Sequence, residues 1–274
     1  MNRSDLQTIA AETISISKSG KYLTANGNIP IDISAAAAAC VKNTRVISPS
    51  ETARISGDHG GRAAQISIVP QTTLDAARAL MKETGQTAAI LNFASAKHPG
   101  GGFRNGSMSQ EEDIAYRSTL YAALSSRQEY YRESLSNLFD GLYFDKALYT
   151  KGLVVIRDGN YNLSDPWLCD CVTAPAPNRG VALEHGISEA DIAAAMERRI
   201  ELALRTFILC GNRNIVLGAF GCGVFKNLPE PVAERFRKAL FDDGLIASFD
   251  RVLFAIPNEN SENHRAFRKI FTHL

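Results

Sequence analysis

Two adjacent carboxylates, Glu111 and Glu112, close the stretch "HPGGGFRNGSMSQEED", in which three consecutive glycines and seven further residues precede Gln110. Neighbouring helical residues diverge by ~100°, so two such acids do different jobs. One can hold a ligand hydroxyl while the other faces a reacting bond. A helix start lowers their pKa values, whereas mutual repulsion and burial against a sugar raise one of them. A carboxyl poised in this way can protonate a leaving oxygen and then activate water, which is the logic of glycoside hydrolysis. A plainer reading fits the same residues. Ser109-Gln110-Glu111-Glu112 has the form of a capping box, with Ser109 at the N-cap and Glu112 reaching back. Acids in a first helical turn are each worth about 0.3–1 kcal/mol.

Gly100, Gly101 and Gly102 remove every Cβ from their turn, so backbone can approach a ligand closely and adopt positive φ. "GAFGCGVFKN", residues 218–227, repeats the device after another apolar run. Successive N–H groups in such turns make an anion nest, and a following helix start adds its positive end. Together the two loops can wrap a diphosphate and its sugar; either alone is equally a tight turn in an α/β domain. Gly221-Cys222-Gly223 has part of a dinucleotide fingerprint but lacks the later acidic partner, and no Gly-Lys-Ser/Thr follows to make a Walker-type loop.

The elements that must position these residues alternate strand and helix. Strands are expected at 64–70, 87–93, 152–158, 167–175, 214–220 and 251–257. Helices are expected at 72–85, closed by Gly85, at 110–124, at 188–209 with a Ser188–Asp191 cap, and at 229–241. Ahead of them, 4–18 has helical spacing, "KYLTANGNIPIDIS" reads as a hairpin about an Asn-Gly turn, and the alanine-rich 34–41 as a close-packed helix. Several strands carry few polar positions and are expected to be covered on both faces. The outcome is one domain, 1–274: an α/β/α three-layer sandwich over 61–274, with a helical and hairpin N-terminal extension over 1–60. Ligands of such sheets bind where strands give way to loops at their C-terminal ends. The marked loops after Phe93, Phe220 and Ile256 all sit at such ends.

Bulk properties narrow the function. Thirty Lys and Arg against twenty-nine Asp and Glu leave a net charge of +1, unlike the basic footprint that holds duplex DNA; sequence-specific nucleic-acid binding is not expected. The N-terminus lacks a signal-peptide pattern, and no run approaches the ~18 apolar residues of a membrane span. Cys40, Cys169, Cys171, Cys210 and Cys222 lack paired C-x-x-C spacing, so they read as free thiols in a reducing cytoplasm rather than as a zinc site. No metal or cofactor is expected.

The glycine run followed at this spacing by Gln110-Glu111-Glu112 resembles the signature of poly(ADP-ribose) glycohydrolases. "RSDLQTIAAETISI", "YLTANGNIPIDIS", "NFASAKHPGGGF", "STLY", "VTAPAPN", "GAFGCGVFKN" and "VLFAIP" resemble, in order, the microbial-type branch of that family, which is built on a macrodomain core. The resemblance implies a mixed sheet, ADP-ribose polymer or an ADP-ribosylated macromolecule as substrate, and hydrolysis of an O-glycosidic bond. It implies that Glu112 is the catalytic acid and base and that Glu111 binds a hydroxyl of the ribose under attack. Asn92, Gly100, Gly101 and Gly102 would lie near that ribose and the diphosphate, and Gln110 would lock the loop through backbone. Gly221, Cys222, Gly223, Val224 and Phe225 would form the second diphosphate loop. Adenine would sit between Thr72–Asp75 and Pro257–Glu259. Related hydrolases cleave ADP-ribose from a nucleobase or an amino-acid side chain, and the acid pair does not separate these linkages; a non-catalytic ADP-ribose reader is the remaining alternative. His98 reads as a phosphate contact or a surface residue, Trp167 as core, and Tyr130 and Tyr131 as cleft rim or helix packing.

Overall fold

The computed structural model describes residues 1–24, 27, 29–57, 64–136 and 140–272. Helix α1 (Arg3–Ser19) starts at Asn2, whose side chain accepts the Asp5 N–H, and ends at Gly20 in the left-handed region. Strands β1 (Lys21–Tyr22) and β2 (Ile31–Asp32) pair antiparallel. Asn26 of the expected Asn-Gly turn, and the expected boundary at 60/61, lie outside the described residues. Then come α2 (Ser34–Lys42), β3 (Thr44–Ile47), α3 (Pro49–Thr52), β4 (Gln65–Val69), α4 (Thr73–Thr84) and β5 (Ala89–Phe93). Beyond the first glycine loop lie α5 (Gln110–Arg117), α6 (Leu120–Ser125) and α7 (Gln128–Ser136), then the long strands β6 (Ala147–Arg157) and β7 (Leu163–Ala174). The chain closes through α8 (Arg179–Glu184), α9 (Glu189–Leu209), β8 (Asn214–Leu217), α10 (Pro229–Arg237), β9 (Arg251–Ala255) and α11 (Glu262–Phe271).

Seven strands make one mixed sheet in the order β3-β6-β7-β5-β8-β9-β4. Pairing is antiparallel at β3-β6 and β6-β7 and parallel from β7 to β4. Alternating side chains sort the core into two layers. Ala89, Leu91, Ile215, Leu217 and Phe254 pack with α9, α10 and α11, whereas Ile90, Val216 and Leu253 pack with α4, α5 and α6. This is the expected three-layer sandwich. The described residues ahead of β4 are joined to it closely: β3 pairs with β6, and the Thr13 hydroxyl of α1 donates to the Tyr116 carbonyl of α5 at 2.8 Å.

Three expectations need correction. Residues 110–124 are not one helix. Ser118 is extended at φ −147° and bridges to Val155, while its hydroxyl donates to the Ile114 carbonyl, so α5 stops and α6 starts again at Leu120. Helix α10 ends at Arg237, and Lys238–Asp242 continue as a wider π turn. Trp167 is partly buried rather than in the core, because β5 pairs with β7 only from Asp170 onward.

The parallel strands present their C-terminal ends along one edge. Between β5 and β8 only Ala89↔Ile215 and Ile90↔Val216 are in register, after which the strands part. The gap they open is where the unusual residues gather.

Candidate active site

A cleft of about 530 Å³ opens at this edge. The loops after β4, β5, β7, β8 and β9 and the start of α5 all contribute to its wall. Where β5 has lost β8, the Gln110 side chain stands in for a strand. Its Oε1 accepts the Phe93 N–H at 2.8 Å, and its Nε2 donates to the Leu91 carbonyl at 2.7 Å and to Thr73 Oγ1 at 3.0 Å. This pins the first turn of α5 to the sheet.

Both acids of that turn are buried, Glu111 at 3% and Glu112 at 7% exposure, and both line the cleft. Glu111 Oε2 accepts the Ser95 N–H at 2.7 Å, and Oε1 accepts from Asn92 Nδ2 at 3.3 Å. Glu112 Oε1 accepts the Gly102 N–H at 2.8 Å, and Oε2 accepts the Ser109 hydroxyl. The capping box is therefore not formed: Glu112 turns to the glycine loop, and Ser109 serves the carboxylate rather than the helix end.

The triple glycine exists for this contact. Gly101 has φ 60°, and a Cβ there would lie 2.4 Å from Glu112 Oε1 and 3.0 Å from Glu111 Oε2. Only a residue without a side chain lets both carboxylates close on that point. All three glycine N–H groups are engaged inside the protein: Gly100 toward Glu111, Gly101 to the His98 carbonyl and Gly102 to Glu112. The second loop differs. Among the described residues the N–H groups of Gly223, Val224 and Phe225 have no acceptor. Gly221, at φ 73°, packs beneath them, where a Cβ would meet Ala176 at 2.6 Å. Asn227 Nδ2 ties the loop down, donating to the Pro177 and Gly221 carbonyls at 2.8 and 3.0 Å.

Burial pushes Glu111 up to about 8, and the Glu112 charge adds to the rise; the Ser95 N–H and the Asn92 amide act in the opposite direction. The cleft thus keeps a titrating proton near neutrality.

Residues 10–158 match the family profile described as microbial-type PARG, catalytic domain. The chain belongs to this family. Poly(ADP-ribose) glycohydrolase from Thermomonospora curvata has a similar structure, with 36% identity, TM-score 0.92 and coverage of 98% of this chain and all of that one. The same enzyme bound to the inhibitor ADP-HPD gives 37% identity and TM-score 0.90 over 98% of this chain and all of that one. The enzyme from Deinococcus radiodurans in complex with ADP-ribose gives 31% identity and TM-score 0.78, over 89% of this chain and 99% of that one. No curated protein sequence matches the chain significantly.

In this PARG-family chain the residues expected at the site fall into two sets. Gln110, Glu111, Glu112, Gly221, Gly223, Val224 and Phe225 line the cleft. Asn92, Gly100, Gly101, Gly102 and Cys222 are not among its lining residues; the first four support the acid pair from behind. Burial pushes the Cys222 thiol up to about 12. Thr72, Thr73 and Pro257 line the cleft, whereas Asp75 pairs with Arg117 at 2.6 Å and Glu259 faces another cavity. His98 is exposed, and Tyr130 and Tyr131 are buried in helix packing.

Sequence reasoning missed Ser95, Met108, Asp113, Ala176, Tyr161 and Asn263 of the lining. The Tyr161 hydroxyl donates to Asp113 Oδ1 at 2.7 Å from a backbone at φ 66°, and Arg117 holds Asp113 from behind at 3.4 Å. Asp113 was legible as the third acid of the helix start; nothing local marks Tyr161.

Two outcomes follow from the acid pair. Glu111 binds its proton more tightly in the folded chain than at its ordinary value of 4.5, so folding takes up a proton between about 4.5 and 8. This group's contribution to stability is therefore greatest at low pH and falls as pH rises through that window. Glu111→Gln should raise the melting temperature relative to wild type more at pH 8 than at pH 5, about 2–4 °C for each kcal/mol relieved; a difference independent of pH contradicts the burial argument. Gly101→Ala should displace Glu112 and lower kcat by about 10²-fold, the scale of a 1 Å misplacement. A kcat near wild type would show that the carboxylates do not depend on the missing Cβ.

Proposed function

We propose that this chain hydrolyses the ribose–ribose O-glycosidic bond of poly(ADP-ribose) and releases ADP-ribose, with Glu112 as general acid and then general base. Membership of the PARG family makes the chain a glycohydrolase of the macrodomain type. The observation that carries the residue assignment is the placing of Glu112. It lines the cleft between two backbone-rich loops, and its orientation is fixed by the Gly102 N–H and the Ser109 hydroxyl.

The free N–H groups of Gly223, Val224 and Phe225 cradle the diphosphate. Phe225, partly buried against Tyr143, offers a ring face to the ribose. Thr72, Thr73, Pro257 and Asn263 take the base end. Glu111, backed by Asn92, holds a hydroxyl of the ribose at the scissile bond. Gly100, Gly101 and Gly102 hold the acids rather than cradle phosphate themselves.

Glu112 gives its proton to the departing oxygen as the C1–O bond breaks, and an oxocarbenium-like ribose forms above the negative diphosphate. The Glu112 carboxylate then takes a proton from the water that attacks C1. One carboxyl serves both steps when water enters on the side the leaving group has left. This departs from the usual pair of catalytic carboxylates.

The intact acid pair disfavours a non-catalytic reader, which has no use for a carboxyl at a scissile bond. ADP-ribose on a nucleobase or an amino-acid side chain presents the same C1 to the same pair, so a substrate panel separates those linkages from polymer. Residues 1–274 act as one domain, and the five cysteines, all free, suit the cytoplasm. No described helix is long and apolar enough to cross a membrane.

Glu112→Gln should abolish release of ADP-ribose from polymer while leaving ADP-ribose affinity within about tenfold, since uniform binding and transition-state chemistry are separable; full activity would remove Glu112 from the mechanism. A Cβ at Gly223 meets nothing within 4 Å, so Gly223→Val should leave the melting temperature unchanged yet weaken ADP-ribose binding in calorimetry. Unchanged affinity would exclude this loop as the phosphate cradle.

A further inference from the structure

Thr173 is fully buried on the interior strand β7. Its neighbours along the strand, Cys171, Val172 and Ala174, are as deeply buried and carry no hydroxyl. Valine has nearly the same shape and would fill the position without the cost of burying an oxygen. The hydroxyl therefore needs a partner, and the register of the sheet provides one. Asn92 of β5 stands opposite Thr173 in the parallel pair, and its Nδ2 donates to Thr173 Oγ1 at 3.2 Å. Cys171 Sγ, 3.6 Å from the same oxygen, can take the hydroxyl proton. Neither Asn92 nor Thr173 lines the cleft.

The other bond of Asn92 Nδ2 goes to Glu111 Oε1 at 3.3 Å, while Asn92 Oδ1 has no hydrogen-bond partner among the described residues. The two ends of an amide are alike in outline, so its partners decide which end faces the carboxyl. As placed, both N–H groups are used and only the oxygen goes without. Turned over, the amide would offer Oδ1 to Glu111, which suits a protonated carboxyl, and would leave both N–H groups unpaired. In amides a buried N–H without a partner is rarer than an under-used carbonyl. Thr173 tips this balance by taking the second N–H. Without it, the present orientation would also strand an N–H and lose most of its advantage.

We propose that Thr173 is a positioning residue for the reaction: by accepting one Asn92 N–H it sets the other on Glu111, and so favours the carboxylate that receives the ribose hydroxyl. The inference rests on the glycohydrolase reading above and extends it to a side chain behind the cleft. Hydrogen bonds to an ionised carboxyl favour that form. The Ser95 N–H, on Glu111 Oε2 at 2.7 Å, acts in the same direction. Against them stand burial and the charge of Glu112 on the same helix. Tyr130 and Tyr131 of α7 and Cys171 of β7 also lie within electrostatic reach of Glu111. Burial, with the Glu111 charge adding to it, pushes all three up, so they stay protonated and bring no charge of their own.

The test follows the Glu111 carboxyl itself, by infrared difference titration of the unliganded chain, with the band assigned by its loss in Glu111→Gln. Thr173→Val should move the Glu111 midpoint upward by about one pH unit, a tenfold change in proton affinity. Thr173→Ala should shift in the same direction, which reads the missing hydroxyl rather than an altered shape. Thr173→Ser keeps the hydroxyl and should titrate as wild type does. On polymer at neutral pH, Thr173→Val and Thr173→Ala should lose about tenfold in kcat/KM, the same factor read as a rate, while Thr173→Ser stays within about twofold. An unmoved midpoint in Thr173→Val and Thr173→Ala, or a Thr173→Ser chain as impaired as Thr173→Val, would overturn the role. Failure of wild type to release ADP-ribose from polymer would instead strike the glycohydrolase reading, and the titration would still judge Thr173 by itself.

Discussion

The active end of this molecule depends on one contact, the Gly102 N–H donating to Glu112 Oε1 at 2.8 Å. A carboxylate this deeply buried is tolerated only when hydrogen bonds replace the water it has lost. Here the replacement is backbone, and backbone can come close only because Gly101 has no side chain to place between. The glycine run and the acid pair are thus two halves of one device. The first empties a volume and the second fills it with charge. Ser109, which would otherwise cap the helix, completes the cage around the same carboxyl.

The sheet supplies the second constraint. Strands β5 and β8 separate after two register pairs, which would leave the Leu91 carbonyl and Phe93 N–H without partners on that side. Gln110 takes both, so the residue next to the acids is bound to the strand as a ladder neighbour would be. The parting of the strands makes the cleft and the amide side chain prevents it from fraying. A neighbouring loop then divides the labour. The first glycine loop turns the N–H groups of Gly100 and Gly102 inward on the acids, and the second leaves those of residues 223–225 without an acceptor among the described residues. Recognition of an anion and positioning of a proton are assigned to different turns of similar composition.

Most of the fold was legible because its signals are local. The cap at Ser188, the stop at Gly85 and the apolar runs at 87–93 and 214–220 each act within a few residues. What escaped was set by partners distant in sequence. Strand β3 is four residues long, and its place in the sheet comes from β6 a hundred residues later. Helix α5 breaks at Ser118 because Val155 claims it for a bridge, which no helical periodicity reveals. At the site, the acids and glycines announced themselves by type and spacing. Tyr161 did not: it reaches the cleft from the β6–β7 turn through an unusual backbone conformation, and its partner Asp113 lies on another element. The roles within the glycine run were also beyond the sequence, since composition cannot tell a turn that faces a ligand from one that faces its own acids.

The central claim concerns where one oxygen lies relative to one carbon. A crystal structure of the wild-type chain with ADP-ribose bound tests it most directly. The account predicts a Glu112 carboxyl oxygen within about 3–3.5 Å of the ribose C1 or its attached oxygen, a near-attack distance, with the diphosphate on the amides of Gly223–Phe225. A bound sugar whose C1 lies away from Glu112, with that carboxyl still closed on Gly102, would contradict it.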